Sequence, residues 1–130
     1  MITVGIIGMG RSGWELHATH LQTIPGYRVV AVCDQSETRL AKAAETFHAR
    51  PYGDALSLIA DPEVQLVVVA VPGQLHKPLT IAALEAGKHV VVEKPMSVTL
   101  ADAEEMVAAA ERTGRVLTVF HNRRWDRDYL

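Results

Sequence analysis

The sequence has little cysteine, no surplus of positive charge and no long apolar run, and each shortage excludes a class of protein. Cys33 is the one cysteine among 130 residues, so no intramolecular disulfide can form. The formal net charge of −2 gives no positive field for a phosphate backbone, which argues against a nucleic-acid partner. No apolar stretch approaches ~18 residues, and no secretory signal opens the chain. We therefore expect a cytoplasmic protein without a membrane partner.

The apolar residues that are present occur in short runs rich in valine and isoleucine. With 48% hydrophobic residues, the chain can form the core of one globular domain. The runs alternate with helical stretches, without repeats or Gly/Ser linkers, and this order is typical of a parallel α/β sheet. We predict strands over residues 2–7, 28–33, 65–71, 88–92 and 115–120, with a short strand and a short helix sharing residues 49–60.

Capping residues mark the ends of the predicted helices. Thr99 and Asp102 resemble a capping box, and Gly114 is placed to end the same helix. Ser36 is expected to cap an earlier helix, and a short helix is expected to start near Asp54. Together these elements predict an α/β Rossmann fold, a doubly wound and mainly parallel six-stranded sheet with strand order 3-2-1-4-5-6.

A glycine-rich turn follows the first strand and opens a helix, as a dinucleotide-binding motif requires; its residues are Gly8-Met9-Gly10-Arg11-Ser12-Gly13. Gly8 permits the tight turn, Gly10 lets a diphosphate approach the backbone, and Gly13 allows close packing of helix on sheet. The side chains of Arg11 and Ser12 are placed to contact a phosphate. The alternative is a glycine-rich turn that binds nothing.

Asp34 strengthens the case for a dinucleotide. It ends the second strand about twenty residues beyond the turn, where the motif expects a carboxylate for the adenosine ribose hydroxyls. A carboxylate repels a 2′-phosphate, and neither Gln35 nor Ser36 supplies a compensating cation, although Arg39 could reach around. We predict NAD in preference to NADP. The alternative is that Asp34 only caps the next helix.

Charged residues follow the apolar run 90–92 at the end of a predicted strand, in the sequence Glu93-Lys94-Pro95. Ligands of open α/β sheets bind outside the carboxyl ends of the strands, so Glu93 and Lys94 should face the same crevice as the glycine turn. A lysine there could exchange a proton with a substrate hydroxyl while hydride leaves the adjacent carbon. The alternative is a solvated ion pair at a strand end.

The six histidines raise the question of a metal site. His17 and His20 occupy neighbouring positions of one helix, but no third ligand of suitable spacing accompanies them, and we predict no metal. His89 interrupts an apolar strand and is expected to be a hydrogen-bonded structural histidine.

Motifs along the whole chain resemble the N-terminal NAD(P)-binding Rossmann domain of the Gfo/Idh/MocA oxidoreductases. The resemblance rests on residues 5–10, on residues 25–34, on Val71-Pro72 followed by His76, and above all on the block from Ala86 to Pro95. One departure is Gly73, where the family usually has asparagine. The resemblance implies that Lys94 is the catalytic lysine and also contacts the cofactor. It further implies that Glu93 contacts the nicotinamide ribose and that Val71, Pro72 and His76 line the nicotinamide side of the pocket. The segment 122–124 is expected near the cofactor.

By the same resemblance, the protein is an NAD(P)-dependent oxidoreductase that moves hydride between the nicotinamide and a sugar, inositol or similar polyhydroxylated substrate. Residues 1–120 would form the nucleotide-binding domain, and residues 121–130 would begin the connection to a substrate domain that this chain does not contain. We therefore expect a catalytically incomplete chain, and a homo-oligomer for the full-length protein. The alternative is a non-enzymatic module that senses NAD, which would have no use for Lys94.

Overall fold

A computed structural model describes residues 1–126, which form one parallel six-stranded sheet. The strand order β3-β2-β1-β4-β5-β6 is the predicted doubly wound order. Every neighbouring pair is parallel, so all carboxyl ends of the strands lie along the same edge. The strands are β1 (Ile2–Ile7), β2 (Tyr27–Cys33), β3 (Arg50–Tyr52), β4 (Leu66–Val69), β5 (His89–Glu93) and β6 (Leu117–Phe120).

Helices connect successive strands. The first helix, α1, begins as a π-helix, Ser12–Ala18, and continues as a short α-helical turn, Thr19–Leu21. Short 3₁₀ turns occur at Gly73–Leu75 and Asn122–Trp125. The remaining helices are α2 (Glu37–Phe47), α3 (Ala55–Ile59), α4 (His76–Glu85) and α5 (Leu100–Thr113). Within residues 1–126 no helix is long and apolar enough to cross a bilayer.

Side chains of the central strands pack on both faces of the sheet. In β4, Val67 and Val69 belong to one core cluster, whereas Val68 between them belongs to the cluster on the other face. All three are at most 2% exposed. Burial on both faces explains why the strands are continuous apolar runs rather than alternating ones.

Most predicted helix ends are confirmed. Ser36 accepts a hydrogen bond from the Arg39 amide, and Asp54 accepts one from the Ser57 amide, so both residues cap their helices. Gly114 ends α5 in the left-handed conformation. The capping box is present only in part. Thr99 accepts from the Asp102 amide, but the Asp102 carboxylate turns to an ion pair with Lys77 on α4.

The predicted extent of β4 is too long. The strand pairs with its neighbours only to Val69, because the chain then turns toward Pro72, which has no N–H to continue the ladder. The short strand and short helix expected within residues 49–60 are both present, as β3 and α3.

Candidate functional site

The carboxyl ends of β1, β2, β4 and β5 open onto two adjoining cavities, which together we call the candidate cleft. The larger has a volume of about 800 Å³ and the smaller about 470 Å³, and Ala70 and Val71 line both. Residues lining the larger cavity include Gly8, Gly10, Asp34, Ser36, Arg39 and Pro72. Residues lining the smaller cavity include Arg11, Ser12, Leu16, Glu93, Lys94, Asn122 and Arg123.

The glycine turn between β1 and α1 has room for a ligand at one position only. A Cβ on Gly8, whose φ is +94°, would lie 2.3 Å from the carbonyl oxygen of Ala70. A Cβ on Gly13 would lie 1.8 Å from the carbonyl oxygen of Gly8, so this glycine allows the close approach of helix and turn. A Cβ on Gly10 would meet nothing within 4 Å, which leaves its backbone open to the cleft. The turn therefore fits the diphosphate of a dinucleotide.

Asp34 follows β2, and its side chain is hydrogen-bonded to the glycine turn. Its carboxylate accepts hydrogen bonds from the amides of Met9 and Ser36, both at 2.8 Å. Burial alone would raise the pKa of Asp34, but these amides and the Arg39 guanidinium together hold it below the usual value of 3.8. The group is therefore an anion at neutral pH, in a position to accept hydrogen bonds from ribose hydroxyls.

Arg39 reaches Asp34 from the first turn of α2. Its Nη1 lies 3.2 Å from Oδ2 of Asp34, and half of its side chain remains exposed. Arg39 also lines a third cavity of about 300 Å³ next to Gly10, together with Arg11 and Lys42. Of these three cations Arg39 pairs with Asp34, whereas Arg11 pairs with Glu15. The charge of Arg39 lowers the repulsion that the Asp34 carboxylate would exert on a phosphate.

Glu93 ends β5 beside the smaller cavity and is buried. Its Oε1 lies 2.6 Å from Nε2 of His17 on α1, and both side chains are less than 10% exposed. The ring of His17 also contacts the ring of Phe120 on β6, with 4.5 Å between the centroids.

Lys94 directly follows Glu93 and lies at the boundary of two cavities. It is exposed in the described chain, but it lies on the same edge of the sheet as Arg11 and Ser12 of the glycine turn. The second cavity that it lines has a volume of about 330 Å³; its other lining residues are His121, Asn122, Arg123 and Arg124. The segment that follows β6 thus lies against the lysine, and residues 127–130 lie outside the described part.

His76 has a different surrounding from the one that the resemblance implies. Its side chain is 1% exposed and is not among the residues that line the two cavities of the cleft. Nε2 lies 2.8 Å from the carbonyl oxygen of Val71, and Nδ1 lies 2.9 Å from that of Pro95. The ring thus links the chain after β4 with the chain after β5, whereas Val71 and Pro72 do line the cleft.

Sequence reasoning missed the contact of His17 with Glu93 and named Arg39 only as a cation that could reach around to Asp34. The sequence suggests only a metal-ligand role for His17, because nothing in it relates α1 to the end of β5, 76 residues away. Arg39 had a weaker signal, since the third residue after the Ser36 cap lies in the first turn of a helix that starts beside Asp34. Among residues 1–126, no group of three or more histidine, cysteine, aspartate and glutamate side chains could hold a metal ion.

Comparison with known proteins gives concordant matches over nearly the whole chain. The model of the oxidoreductase family with an NAD-binding Rossmann fold, GFO_IDH_MocA, matches residues 2–121. The Escherichia coli protein YdgJ, named an uncharacterized oxidoreductase, is 43% identical over 99% of this chain and 37% of its own length. The Bacillus subtilis protein IolW, named scyllo-inositol 2-dehydrogenase (NADP(+)), is 37% identical over 99% of this chain and 36% of its own length.

A solved structure agrees in fold as well as in sequence. The biliverdin reductase of Synechocystis sp. PCC 6803, in complex with biliverdin and NADP+, superimposes with a TM-score of 0.89 at 36% identity. The match covers 95% of this chain and 39% of the reductase. The chain thus spans less than two fifths of the length of these three relatives.

Proposed function

Because the chain belongs to the Gfo/Idh/MocA family of NAD-binding oxidoreductases, we propose that its candidate cleft holds the nicotinamide dinucleotide of a hydride-transfer enzyme. One observation carries the proposal. The glycine turn, Asp34 and Lys94 lie along one edge of the sheet, and the two cavities that they line adjoin each other at Ala70 and Val71. An extended dinucleotide needs this arrangement, with phosphate-binding amides between two nucleoside sites.

Each end of the cleft has a distinct task in this proposal. The diphosphate lies against the open backbone at Gly10, near Arg11 and Ser12. Asp34 accepts hydrogen bonds from the adenosine ribose, because its carboxylate is ionised and lines the larger cavity. Glu93 lines the opposite end, where it can accept from the second ribose. When bound, the nicotinamide ring accepts or supplies the hydride.

Lys94 is proposed to move the proton of the reaction. As hydride leaves the carbon of a substrate alcohol, the lysine amine takes the hydroxyl proton, and the reverse reaction returns it. Its exposed position at the boundary of two cavities leaves the amine accessible to both cofactor and substrate. The substrate class that we propose is a polyhydroxylated alcohol such as a sugar or inositol. The relative named scyllo-inositol 2-dehydrogenase supports this class.

We further propose that NAD is preferred over NADP. The Asp34 carboxylate stands where a 2′-phosphate would lie, and electrostatic repulsion there opposes NADP. Arg39 offsets part of that repulsion through its ion pair with Asp34, so the preference should be moderate. We expect NAD to bind roughly tenfold more tightly than NADP, which corresponds to about 1.4 kcal/mol.

Titration calorimetry with NADH and NADPH, which differ only in the 2′-phosphate, tests the proposal on this chain. Gly10→Ala is the sharpest variant, because a Cβ there meets no protein atom but enters the space proposed for the diphosphate. We expect NADH binding in the wild type and at least a tenfold loss in this variant, with an unchanged melting temperature. Gly73→Ala is the matched control, since its added Cβ is equally free and Gly73 does not line either cavity. Absence of NADH binding at millimolar concentration would refute the proposal.

A further inference from the structure

The buried pair of His17 and Glu93 joins the two parts of the candidate cleft. His17 lies on α1, the helix that starts at the glycine turn, and Glu93 ends β5 next to Lys94. Nε2 and Oε1 are 2.6 Å apart, and the two side chains are 7% and 9% exposed. Since a carboxylate can only accept, Nε2 carries the proton of this hydrogen bond. A short contact between two buried polar groups is strong and directional.

His17 belongs to the part of α1 that has an unusual helical form. Residues Ser12–Ala18 form a π-helix, in which the amide of Thr19 donates to the carbonyl oxygen of Trp14, five residues earlier. At the surface of the same helix, Nδ1 of His20 lies 2.9 Å from the carbonyl oxygen of Glu15. Segments of π-helix are uncommon and are frequent at functional sites. His17 is buried within this segment and contacts Glu93 at the carboxyl end of β5.

The imidazole is held from a second side. The ring of Phe120 lies 4.5 Å from that of His17, at an interplanar angle of 58°. Phe120 is the last residue of β6, the strand beside β5. His17 therefore has its orientation fixed by an aromatic contact and its Nε2 directed at one oxygen of Glu93.

The hydrogen bond to His17 uses only one of the two carboxylate oxygens of Glu93. The contact with His17 uses Oε1, while the residue also lines the smaller cavity of the cleft. A carboxylate accepts hydrogen bonds at both oxygens, so one remains for a ligand hydroxyl. Without the partner, the buried carboxylate could rotate or turn away from the cavity.

We infer that His17 is a positioning residue: it holds the Glu93 carboxylate in the orientation that accepts a hydroxyl of the nicotinamide ribose. The inference rests on the proposed function, and it adds a residue that does not itself touch the cofactor. By this inference, α1 contributes to the cleft in two ways. The same helix begins where the diphosphate is proposed to lie and orients, through His17, the carboxylate at the nicotinamide end.

A comparison of two nucleotides distinguishes a positioning role of His17 from a general structural role. ADP contains the adenosine and diphosphate but lacks the second ribose, whereas ADP-ribose contains it. Calorimetric dissociation constants for both are measured with the wild type, His17→Leu, His17→Gln and His17→Asn. Glutamine can place an amide N–H near the position of Nε2, while asparagine is too short and leucine has no donor.

We expect His17→Leu and His17→Asn to bind ADP-ribose roughly tenfold more weakly, the effect of one lost hydrogen bond to a charged group. Their affinity for ADP should stay within a factor of two or so of wild type. His17→Gln should retain most of the ADP-ribose affinity. Glu93→Gln, which removes the charge of the acceptor, should show the same selective loss and identifies Glu93 as the group that the ribose contacts. His17→Asn serves as the second variant if leucine prevents folding.

Equal weakening of both nucleotides in the leucine and asparagine variants would overturn the inference, because it would show a purely structural role. Unchanged ADP-ribose binding in both variants would overturn it as well. If the wild type binds neither nucleotide, the proposed function fails and the inference fails with it. Binding of both nucleotides by the wild type, with no selective loss in any variant, refutes the inference alone.

Discussion

Lys94 and Glu93 are adjacent residues at the end of one strand, yet they differ in solvent exposure. Glu93 is buried and bonded to His17, whereas Lys94 is exposed and lines two cavities. Glu93 is still part of β5 and pairs with Phe120 of β6, whereas Lys94 lies beyond the end of the strand. A carboxylate is thereby fixed in place, and an amine is left accessible beside it.

Under the proposed function, the exposed lysine leads to a prediction for any protein that contains this chain and turns over a substrate. Lys94→Ala should lower turnover by roughly 10²-fold to 10⁴-fold, the usual contribution of a general acid or base. The affinity for NADH should change by no more than a few fold, because other groups bind the dinucleotide. Steady-state kinetics and fluorescence titration of NADH measure the two quantities.

The control for this substitution is Lys77→Ala. Lys77 is paired with Asp102 and Glu105 between α4 and α5, away from the cleft, and its loss should leave turnover nearly unchanged. A parallel loss of turnover and NADH affinity in Lys94→Ala would contradict the proton-transfer role and favour a module that only senses NAD.

At the scale of elements, the contact of α1 with the turn after β1 determines the geometry of the site. Gly13 packs so closely on Gly8 that no side chain fits between them. The same contact places the start of the helix near the proposed diphosphate and brings His17 over β5. An interaction between two elements therefore sets the positions of several functional groups at once.

Gly13→Ala should disrupt the contact between α1 and the turn after β1. The added Cβ would lie 1.8 Å from a backbone oxygen, which cannot move without distorting the turn. We expect the free energy of unfolding to fall by about 2–3 kcal/mol, as measured by urea denaturation at neutral pH. Gly10→Ala is the matched control, and it should change stability by less than about 1 kcal/mol. Equal stability of the two variants would show that α1 is not held by this contact.

At the scale of the whole molecule, the two edges of the sheet have different roles. The carboxyl edge forms the cleft, while the amino edge carries a charged network centred on Asp61. This buried carboxylate accepts hydrogen bonds from Arg50 and Tyr52, at 2.7 Å and 2.8 Å. The buried Lys88 donates to the carbonyl oxygens of Asp61 and Val64. The network connects β3 and β5 to the loop before β4, and Arg50, Asp61 and Lys88 do not line the candidate cleft.

Asp61 should make stability depend on pH. Burial raises its pKa, but hydrogen bonds from the Arg50 guanidinium, the backbone amide of Glu63 and the Tyr52 hydroxyl outweigh burial and hold the pKa below 3.8. A lowered folded pKa stabilises the protein above the unfolded pKa, and this contribution is lost as the pH falls through the folded value. We expect Asp61→Asn to be less stable than wild type near neutral pH, with the difference shrinking below about pH 4.

Urea denaturation at a series of pH values between about 7 and 3 measures this difference. The wild type should still lose some stability in acid through Asp34 and Asp54, whose pKa values are also lowered. A difference between variant and wild type that stays constant down to about pH 3 would contradict the assignment to Asp61.

Much of the fold was predictable because it depends on local patterns. Valine-rich runs, glycine stops and the caps at Ser36 and Asp54 each act through neighbouring residues, and the strand order followed from the alternation of strands and helices. The glycine turn and Asp34 were predictable for the same reason, since a short motif carries both their chemistry and their spacing.

Other features of the site depend on contacts that are distant in sequence. The sequence alone determined a parallel sheet with a dinucleotide motif at its carboxyl edge, because period and spacing encode both. Only the tertiary structure decided that His17 faces Glu93, that His76 links two loops instead of lining the cleft, and that Arg39 pairs with Asp34. The physical reason is that such partners depend on how helices rotate and dock on the sheet, which packing of the whole core determines.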